Sequence, residues 1–199
     1  MIKRNLDLFI STFCIIVLLP LIVIIALLIL LESGRPVFFI QKRVGKNKNL
    51  FNMYKFRSMR VNNIDPFQLG PIKHSHQLVT KVGYFIRRTK LDELPQLLNV
   101  IRCEMSLVGP RPCLPERLDQ MNHDECRRFD ALPGITGWAE VNGNLELDWN
   151  EQLLLDLWYI NNQSTQLDLK ILIKTFFVLI LGSIRNEKAL NLAKKTRFT

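Results

Sequence analysis

The chain has 199 residues, 48% of them apolar, and a formal net charge of +9, which suits one globular domain with an appended segment. The excess of Lys and Arg indicates an anionic partner, such as nucleic acid, acidic lipid headgroups or a phosphorylated substrate. The four cysteines form no Cys-x-x-Cys pair, which argues against a zinc site and favours reduced cytosolic thiols.

An uncharged apolar stretch covers residues 13–31. It approaches the roughly 20 residues that a helix needs to cross a bilayer. Its length and the residues that follow it do not fit a cleaved secretory signal. Residues 1–34 are therefore predicted to form a membrane-inserted helix.

Pro20 lies near the middle of this helix, where a proline removes a backbone hydrogen bond and can bend the axis. Cations flank both ends, with Lys3 and Arg4 before the apolar stretch and further Lys and Arg residues after it. A helix that bends at Pro20 and returns keeps both clusters in the cytoplasm, as the positive-inside tendency prefers. A simple transmembrane anchor that tolerates its proline is the alternative.

Residues 35–199 are predicted to form one cytosolic domain that is mostly α-helical with short β elements (α+β). The apolar runs at 37–40 and 51–56 flank a polar turn and predict a hairpin. Helical periodicity at 94–100 and 151–160 predicts two core helices. Residues 62–76 contain two prolines with His74 and His76, and this composition predicts an exposed loop, in preference to a metal site.

A second apolar segment covers residues 167–184, but Asp168, Lys170 and Lys174 interrupt it. The uninterrupted part is too short to span a bilayer, so we expect it to lie at the membrane surface or to pack in the core. The basic tail at 185–199 is predicted either to continue that interfacial surface or to form a solvated helix.

Two adjacent carboxylates, Asp92 and Glu93, follow a cluster of cations that includes Arg87. If Asp92 caps a helix, Pro95 falls in its first turn and the helix dipole keeps both carboxylates ionised. An ionised carboxylate can attack phosphorus or bind Mg²⁺, and nearby cations can neutralise phosphate oxygens. A structural N-cap with a first-turn partner is the alternative interpretation.

Three further segments, at 55–57, 109–112 and 133–138, are basic or rich in Gly and Pro. Arg111 stands between two prolines, which would hold a phosphate-binding guanidinium on a stiff segment. Gly-rich turns also let backbone amides approach an anion. Asp156 is an acidic residue in an apolar helix, where a hydrogen bond between helices is the alternative to a binding role.

Taken together, these segments resemble the small monotopic phosphoglycosyl transferases of the bacterial sugar transferase family. The likeness extends over nearly the whole chain. Its blocks are residues 3–7, 41–45, 54–59, 91–97, 105–112, 133–143, 155–159 and 167–170. The number and order of the blocks make a chance match very improbable.

The resemblance implies a re-entrant helix broken near Pro20 and a catalytic domain on the cytoplasmic side of the bacterial inner membrane. It also implies an Asp-Glu dyad that works with Mg²⁺. Asp92 would contact the metal, attack the β-phosphate of a UDP-sugar, expel UMP and hold a phosphosugar covalently. Polyprenyl (undecaprenyl) phosphate would then accept the phosphosugar, while Glu93 assists by accepting a proton from the carrier phosphate.

The phosphate and nucleotide contacts expected from the resemblance are Lys55, Arg57, Arg87 and Arg111, with Asp156 as a further candidate. The expected partners are the UDP-sugar donor, the polyprenyl phosphate acceptor and inner-membrane lipid, and a homodimer is left open. No nucleic-acid partner is expected, because no known nucleic-acid-binding module is present and the cations follow a membrane anchor.

Three positions depart from the family pattern. Leu19 replaces a frequent serine before Pro20, Glu140 replaces a glutamine, and Asn144 replaces an arginine that commonly follows Asn-Gly. The family's sugar preference is therefore not carried over to this chain. A catalytically silent membrane scaffold for glycan assembly is the alternative function, and the intact Asp92, Glu93 and Arg111 argue against it.

Overall fold

The structure is a computed structural model that describes residues 2–60 and 77–197. The loop predicted at 62–76 lies outside the described residues. The described part is mostly helical with short strands, which confirms the predicted class. Its helices and strands are α1 Ile2–Ser33, β1 Phe38–Val44, β2 Leu50–Phe56, α2 Lys81–Arg88, α3 Gln96–Ile101, β3 Ser106–Val108, β4 Gly134–Thr136, α4 Trp149–Asn161, α5 Thr165–Leu181 and α6 Glu187–Arg197.

Strands β1 and β2 form an antiparallel hairpin in which Phe38 pairs with Phe56 and Val44 pairs with Leu50. The polar turn between them places Asn47 at a φ of 55°, a left-handed conformation that asparagine tolerates better than most residues. The predicted hairpin is confirmed. It brings Lys55, near the end of β2, toward the centre of the domain.

Strands β3 and β4 pair in parallel, with Ser106 opposite Gly134 and Val108 opposite Thr136. The backbones beyond them come very close, because a Cβ atom on Gly109 would lie 2.3 Å from the carbonyl oxygen of Leu132. Only glycine fits such an approach. The pairing places Arg111, just after β3, beside the segment that follows β4.

Helix α1 is long and apolar enough to cross a membrane by its length and composition. The helix continues through Pro20 without interruption, so the predicted break is not seen in its secondary structure. One side of α1 packs on the domain through Ile25 and Ile29, while apolar residues such as Phe9 and Leu31 are exposed. A helix that is apolar on both its buried and its exposed side fits a position between protein and lipid.

Both ends of α1 contact the same body. Near its start, Lys3 donates a 2.6 Å hydrogen bond to Asp168 on α5. Near its end, the Glu32 carboxylate accepts hydrogen bonds from the backbone amides of Lys81 and Val82, at 2.7 and 2.8 Å. These contacts tie the two ends of the membrane helix to one domain.

The core lies between α4, α6 and the β3–β4 pair, where Leu155 and Leu190 are fully buried. The helices predicted at 94–100 and 151–160 correspond to α3 and α4. Helix α6 buries one side in this core, so neither a purely interfacial nor a purely solvated tail is correct. Helix α5 buries only Asp168 and Ile171, and most of its apolar surface is exposed.

Candidate active site

Asp92 and Glu93 lie in a tight 3₁₀ turn, Leu91–Glu93, that follows Lys90 in a left-handed conformation with a φ of 59°. Helix α3 starts only at Gln96, and Pro95 occupies its N-cap position. The prediction that Asp92 caps this helix is therefore wrong. Proline suits the start of the helix because it lacks an amide hydrogen. The carboxylates are therefore influenced by nearby charged side chains and not by the helix dipole that the sequence predicted.

Glu93 is held between two cations from different parts of the chain. Its Oε1 accepts hydrogen bonds from Lys55 Nζ at 2.8 Å and from Arg111 Nη2 at 2.9 Å. Burial alone would raise the pKa of Glu93, but Arg111 and Lys55 hold it far below the usual range. In turn, Glu93 raises the pKa of Arg111, so this ion-paired cluster stays charged.

Asp92 has a different environment from its neighbour. Its side chain makes no hydrogen bond within the described residues and is only partly buried. Burial and the adjacent Glu93 charge raise the pKa of Asp92, while Lys55, Lys90 and Arg87 oppose that shift. The expected ionising environment is thus present for Glu93 and weaker for Asp92. Arg87 is near enough to act on Asp92, as its predicted role requires.

Arg57 does not point into this cluster. It is buried and donates hydrogen bonds to the carbonyl oxygens of Ser33, Gly34 and Arg35, at 2.7 to 2.9 Å. These bonds satisfy carbonyls that the end of α1 leaves unpaired. The geometry gives Arg57 a structural task, and its predicted phosphate contact stays a prediction.

Asp156 is 2% exposed and forms a 2.7 Å ion pair with Arg128. Burial raises the pKa of Asp156 to about 7, and Arg128 opposes the shift. Arg128 also donates a 2.8 Å hydrogen bond to the carbonyl oxygen of Arg111. The Arg128–Asp156 pair is therefore linked to the backbone at Arg111 and helps to hold it in place. The predicted substrate contact of Asp156 stays a prediction.

Sequence reasoning missed Arg128, which no local pattern distinguishes from its neighbour Arg127. It also gave no role to Glu140, although it singled out that residue as a departure from the family. The Glu140 Oε2 atom is buried and has no hydrogen-bond partner among the residues that the structure describes. The charges of Arg111 and Arg128 both act on the Glu140 carboxylate, which therefore borders the site.

The described residues contain no group of three or more His, Cys, Asp and Glu side chains that could hold a metal ion. Mg²⁺ does not require such a group, because the ion is usually bound through one or two carboxylates together with water and substrate phosphates. Asp92 fits that requirement, since no described group bonds its carboxylate. Glu93 fits less well, because two cations already engage it.

The chain matches the family model described as bacterial sugar transferase over residues 1–182. It therefore belongs to the bacterial sugar transferase family. The structure brings an Asp-Glu pair together with cations, on a domain that carries an apolar N-terminal helix. The sequence resemblance implied these features, and the binding of phosphate by the cations stays a prediction.

A Bacillus subtilis protein named uncharacterized sugar transferase EpsL is 41% identical over 87% of this chain and 84% of its own length. The undecaprenyl-phosphate glucose phosphotransferase of Komagataeibacter xylinus is 43% identical, over 87% of this chain and 35% of that protein. The UDP-glucose:undecaprenyl-phosphate glucose-1-phosphate transferase of Escherichia coli is 39% identical, over 89% and 40%. The chain thus spans less than half the length of these two relatives with named activities.

Proposed function

We propose that this protein transfers a phosphosugar from a UDP-sugar to polyprenyl phosphate at the cytoplasmic face of the bacterial inner membrane. The observation that carries the proposal is the contrast within the dyad. Two cations bond Glu93, whereas no described residue forms a hydrogen bond with the Asp92 carboxylate. The two relatives named by activity support the choice of acceptor, since both names specify undecaprenyl phosphate.

In the first step, a carboxylate oxygen of Asp92 attacks the β-phosphorus of the donor. The bond from that phosphorus to the bridging oxygen breaks, and UMP leaves with the electron pair. Arg111, with Lys55 and Arg87 nearby, neutralises the phosphate oxygens as charge develops. Bound Mg²⁺ would supply further charge neutralisation on the diphosphate, with Asp92 as its protein ligand.

In the second step, an oxygen of polyprenyl phosphate attacks the phosphosugar on Asp92 and releases the carboxylate. The product is a polyprenyl diphosphate sugar. Glu93 is a weak base while Arg111 and Lys55 lower its pKa, because proton acceptance is most efficient near the working pH. Glu93 therefore acts first by orienting these two cations, and it gains basicity only as substrate phosphates compete for them.

The contacts of α1 support a re-entrant, monotopic placement, although the helix continues through Pro20. A straight helix of 32 residues is about 48 Å long, which exceeds the roughly 30 Å of bilayer hydrocarbon. A spanning helix would separate its ends across the membrane, whereas Lys3 and Glu32 both contact one domain. Impermeant thiol reagents applied from outside the cell should label neither an Ile2→Cys nor a Gly34→Cys variant in a cysteine-free background. Labelling of one of them would show a span.

Release of UMP tests the reaction. Purified protein in nanodiscs should release UMP from at least one member of a UDP-sugar panel when Mg²⁺ and polyprenyl phosphate are present. Asp92→Asn should abolish release, while the matched exposed variant Asp119→Asn should retain it. A folded, membrane-bound protein that releases no UMP from any donor would overturn the proposal and favour the scaffold.

A further inference from the structure

Two lysines one turn apart interrupt the exposed apolar surface of α5. Lys170 is exposed and Lys174 is half-buried. Both ammonium groups lie over the Trp138 ring, at 5.9 and 5.1 Å from its centroid, so they share one small region. Neither lysine forms an ion pair within residues 2–60 and 77–197, although the Trp138 ring attracts both charges.

Lys174 is fixed in position by polar contacts on its inner side. Its Nζ donates a 3.0 Å hydrogen bond to Asn142 Oδ1. Asn142 is fully buried, donates to the carbonyl oxygen of Trp138 and accepts from Asn186, both at 2.8 Å. The ammonium group is therefore presented from a rigid support, unlike that of a flexible surface lysine.

The positive charge of Lys170 and Lys174 is not balanced by an ion pair in the described part of the chain. Like charges four residues apart on a helix repel each other. Burial and the charge of Lys170 lower the pKa of Lys174, and no carboxylate of the described chain relieves the repulsion. An anion that reaches the pair from its exposed side would supply the missing compensation.

Apolar side chains continue this face of α5 beyond the lysines. Phe177 and Leu181 are 55% and 75% exposed, and the spacing from Lys170 through Lys174 to Phe177 and Leu181 keeps them on one side of the helix. Leu181 lies about 10 Å along the axis from Lys174 at the usual rise per residue. A ligand with an anionic headgroup and a hydrocarbon chain could place the headgroup at the two lysines and the chain along the two apolar residues.

We propose that Lys170 and Lys174 bind the phosphate of an anionic bilayer phospholipid whose acyl chain lies along Phe177 and Leu181. The proposal rests on the membrane placement given above and is independent of the catalytic step. The loop at 137–142 links this site to the candidate active site, because it carries Asn142 at one end and Glu140, near Arg111, in its middle. A bound lipid would therefore stabilise a loop that borders the dyad.

Lipid binding can be measured on the full chain in an uncharged detergent by native mass spectrometry, with short-chain phosphatidylglycerol or phosphatidylcholine as probe. Wild type should retain phosphatidylglycerol in preference to phosphatidylcholine. Lys170→Gln combined with Lys174→Gln should weaken phosphatidylglycerol binding roughly 25-fold, from about fivefold for each lysine near a lipid surface. The matched Lys194→Gln and Lys195→Gln pair on α6 should bind as wild type does.

Replacement of both Lys170 and Lys174 by arginine should preserve binding, which separates loss of charge from loss of fold. Unchanged phosphatidylglycerol binding in the double glutamine variant would overturn the proposal. Displacement of the lipid by glycerol phosphate at equal concentration would also overturn it, because the site would then recognise a free anion and not a lipid. Release of UMP is measured in the same preparation, so that the lipid site and the transferase reaction are tested separately. Lipid binding without UMP release would overturn the proposed reaction and leave the lipid site standing.

Discussion

Two charged clusters beside α1 differ in how they engage their carboxylates. The N-terminal cluster consists of Lys3, Asp7, Ser106, Tyr159 and Asp168. Asp168 accepts hydrogen bonds from Tyr159 and Lys3, both at 2.6 Å, and Asp7 accepts one from Ser106 at 2.7 Å and one from a backbone amide. Every carboxylate oxygen in this cluster has a partner.

The carboxylates of Asp92 and Glu93, in the turn before α3, are bonded unequally. Glu93 has two cationic partners, whereas Asp92 has a raised pKa and no hydrogen bond within the described chain. A fully bonded carboxylate stabilises a fold, and breaking such a pair is costly. A carboxylate left unbonded among cations is available to a phosphate. We therefore expect the first cluster to stabilise the fold and the second to take part in the proposed reaction.

The largest expected effect is on formation of the covalent adduct, which should require Asp92 and no other carboxylate that is tested. Wild type incubated with a UDP-sugar and Mg²⁺, without acceptor, should gain the mass of one phosphosugar. Asp92→Asn should show no adduct and should release UMP at least about 10³-fold more slowly, because the nucleophile is lost. Asp168→Asn should retain the adduct. Intact-protein mass spectrometry checks both results, and an adduct on Asp92→Asn would refute the assignment.

Arg111 should have the next largest effect. Arg111→Lys keeps the charge but loses the planar donor set that bonds Glu93 and that, in the proposed reaction, would also bond a phosphate. We expect kcat/KM for UMP release to fall about 10²-fold, in the range seen when one transition-state donor is removed. Arg127→Lys, on the exposed surface, should have no effect. Equal kinetics of both variants would show that Arg111 only stabilises the fold.

The parts that sequence predicted best depend on local pattern. The hairpin and helices α3 and α4 follow from alternation, turn residues and helical spacing, whereas the catalytic role of Asp92 and Glu93 stays a prediction from their motif. The environment of the dyad depends on contacts across the chain. Lys55 and Arg111 reach Glu93 from 38 and 18 residues away, and the left-handed Lys90 has no local signal. For the same reason, the sequence could not show that Arg57 and Asp156 are buried in structural contacts.

The N-terminal cluster should affect stability, not catalysis. Lys3→Met leaves Asp168 buried without its cation, and we expect a loss of about 2 kcal/mol in the free energy of unfolding. Combining Lys3→Met with Asp168→Asn should restore part of this loss, because the unpaired charge is removed. Thermal unfolding in detergent checks the stability. A selective loss of UMP release in folded Lys3→Met protein would contradict the division between the clusters.

Glu93 should also make stability depend on pH. Its pKa in the folded state is far below the value of 4.5 expected when unfolded, so its contribution is present above pH 4.5 and is lost as pH falls toward the folded pKa. Glu93→Gln should therefore lower stability at pH 7 by at least about 1 kcal/mol and flatten the acid dependence. Melting temperatures between pH 7 and 3 check this, with exposed Glu116→Gln as control. Parallel curves for wild type and Glu93→Gln would rule it out.

The smallest expected effect is that of Glu140 on donor binding. Its carboxylate, like that of Asp92, is incompletely bonded within the described residues, and it lies near Arg111. Its negative charge raises the pKa of Arg111, and in the proposed reaction it would compete with donor phosphates for that guanidinium. Glu140→Gln removes the charge and nearly preserves the shape, so we expect KM for the UDP-sugar to fall roughly threefold, with kcat almost unchanged.

The pH dependence of that change distinguishes charge from packing. Burial raises the pKa of Glu140, with Arg111 and Arg128 opposing and Glu93 reinforcing the shift, so the side chain gains its charge only as pH rises. Wild type and Glu140→Gln should therefore have similar KM values at low pH and diverge as pH increases. A constant KM ratio would mean that Glu140 acts by packing against Gly137, where a Cβ atom would come within 2.6 Å of its carboxylate. In that case an unbonded carboxylate near the site would not by itself indicate chemistry, and the assignment of Asp92 would depend on its covalent adduct alone.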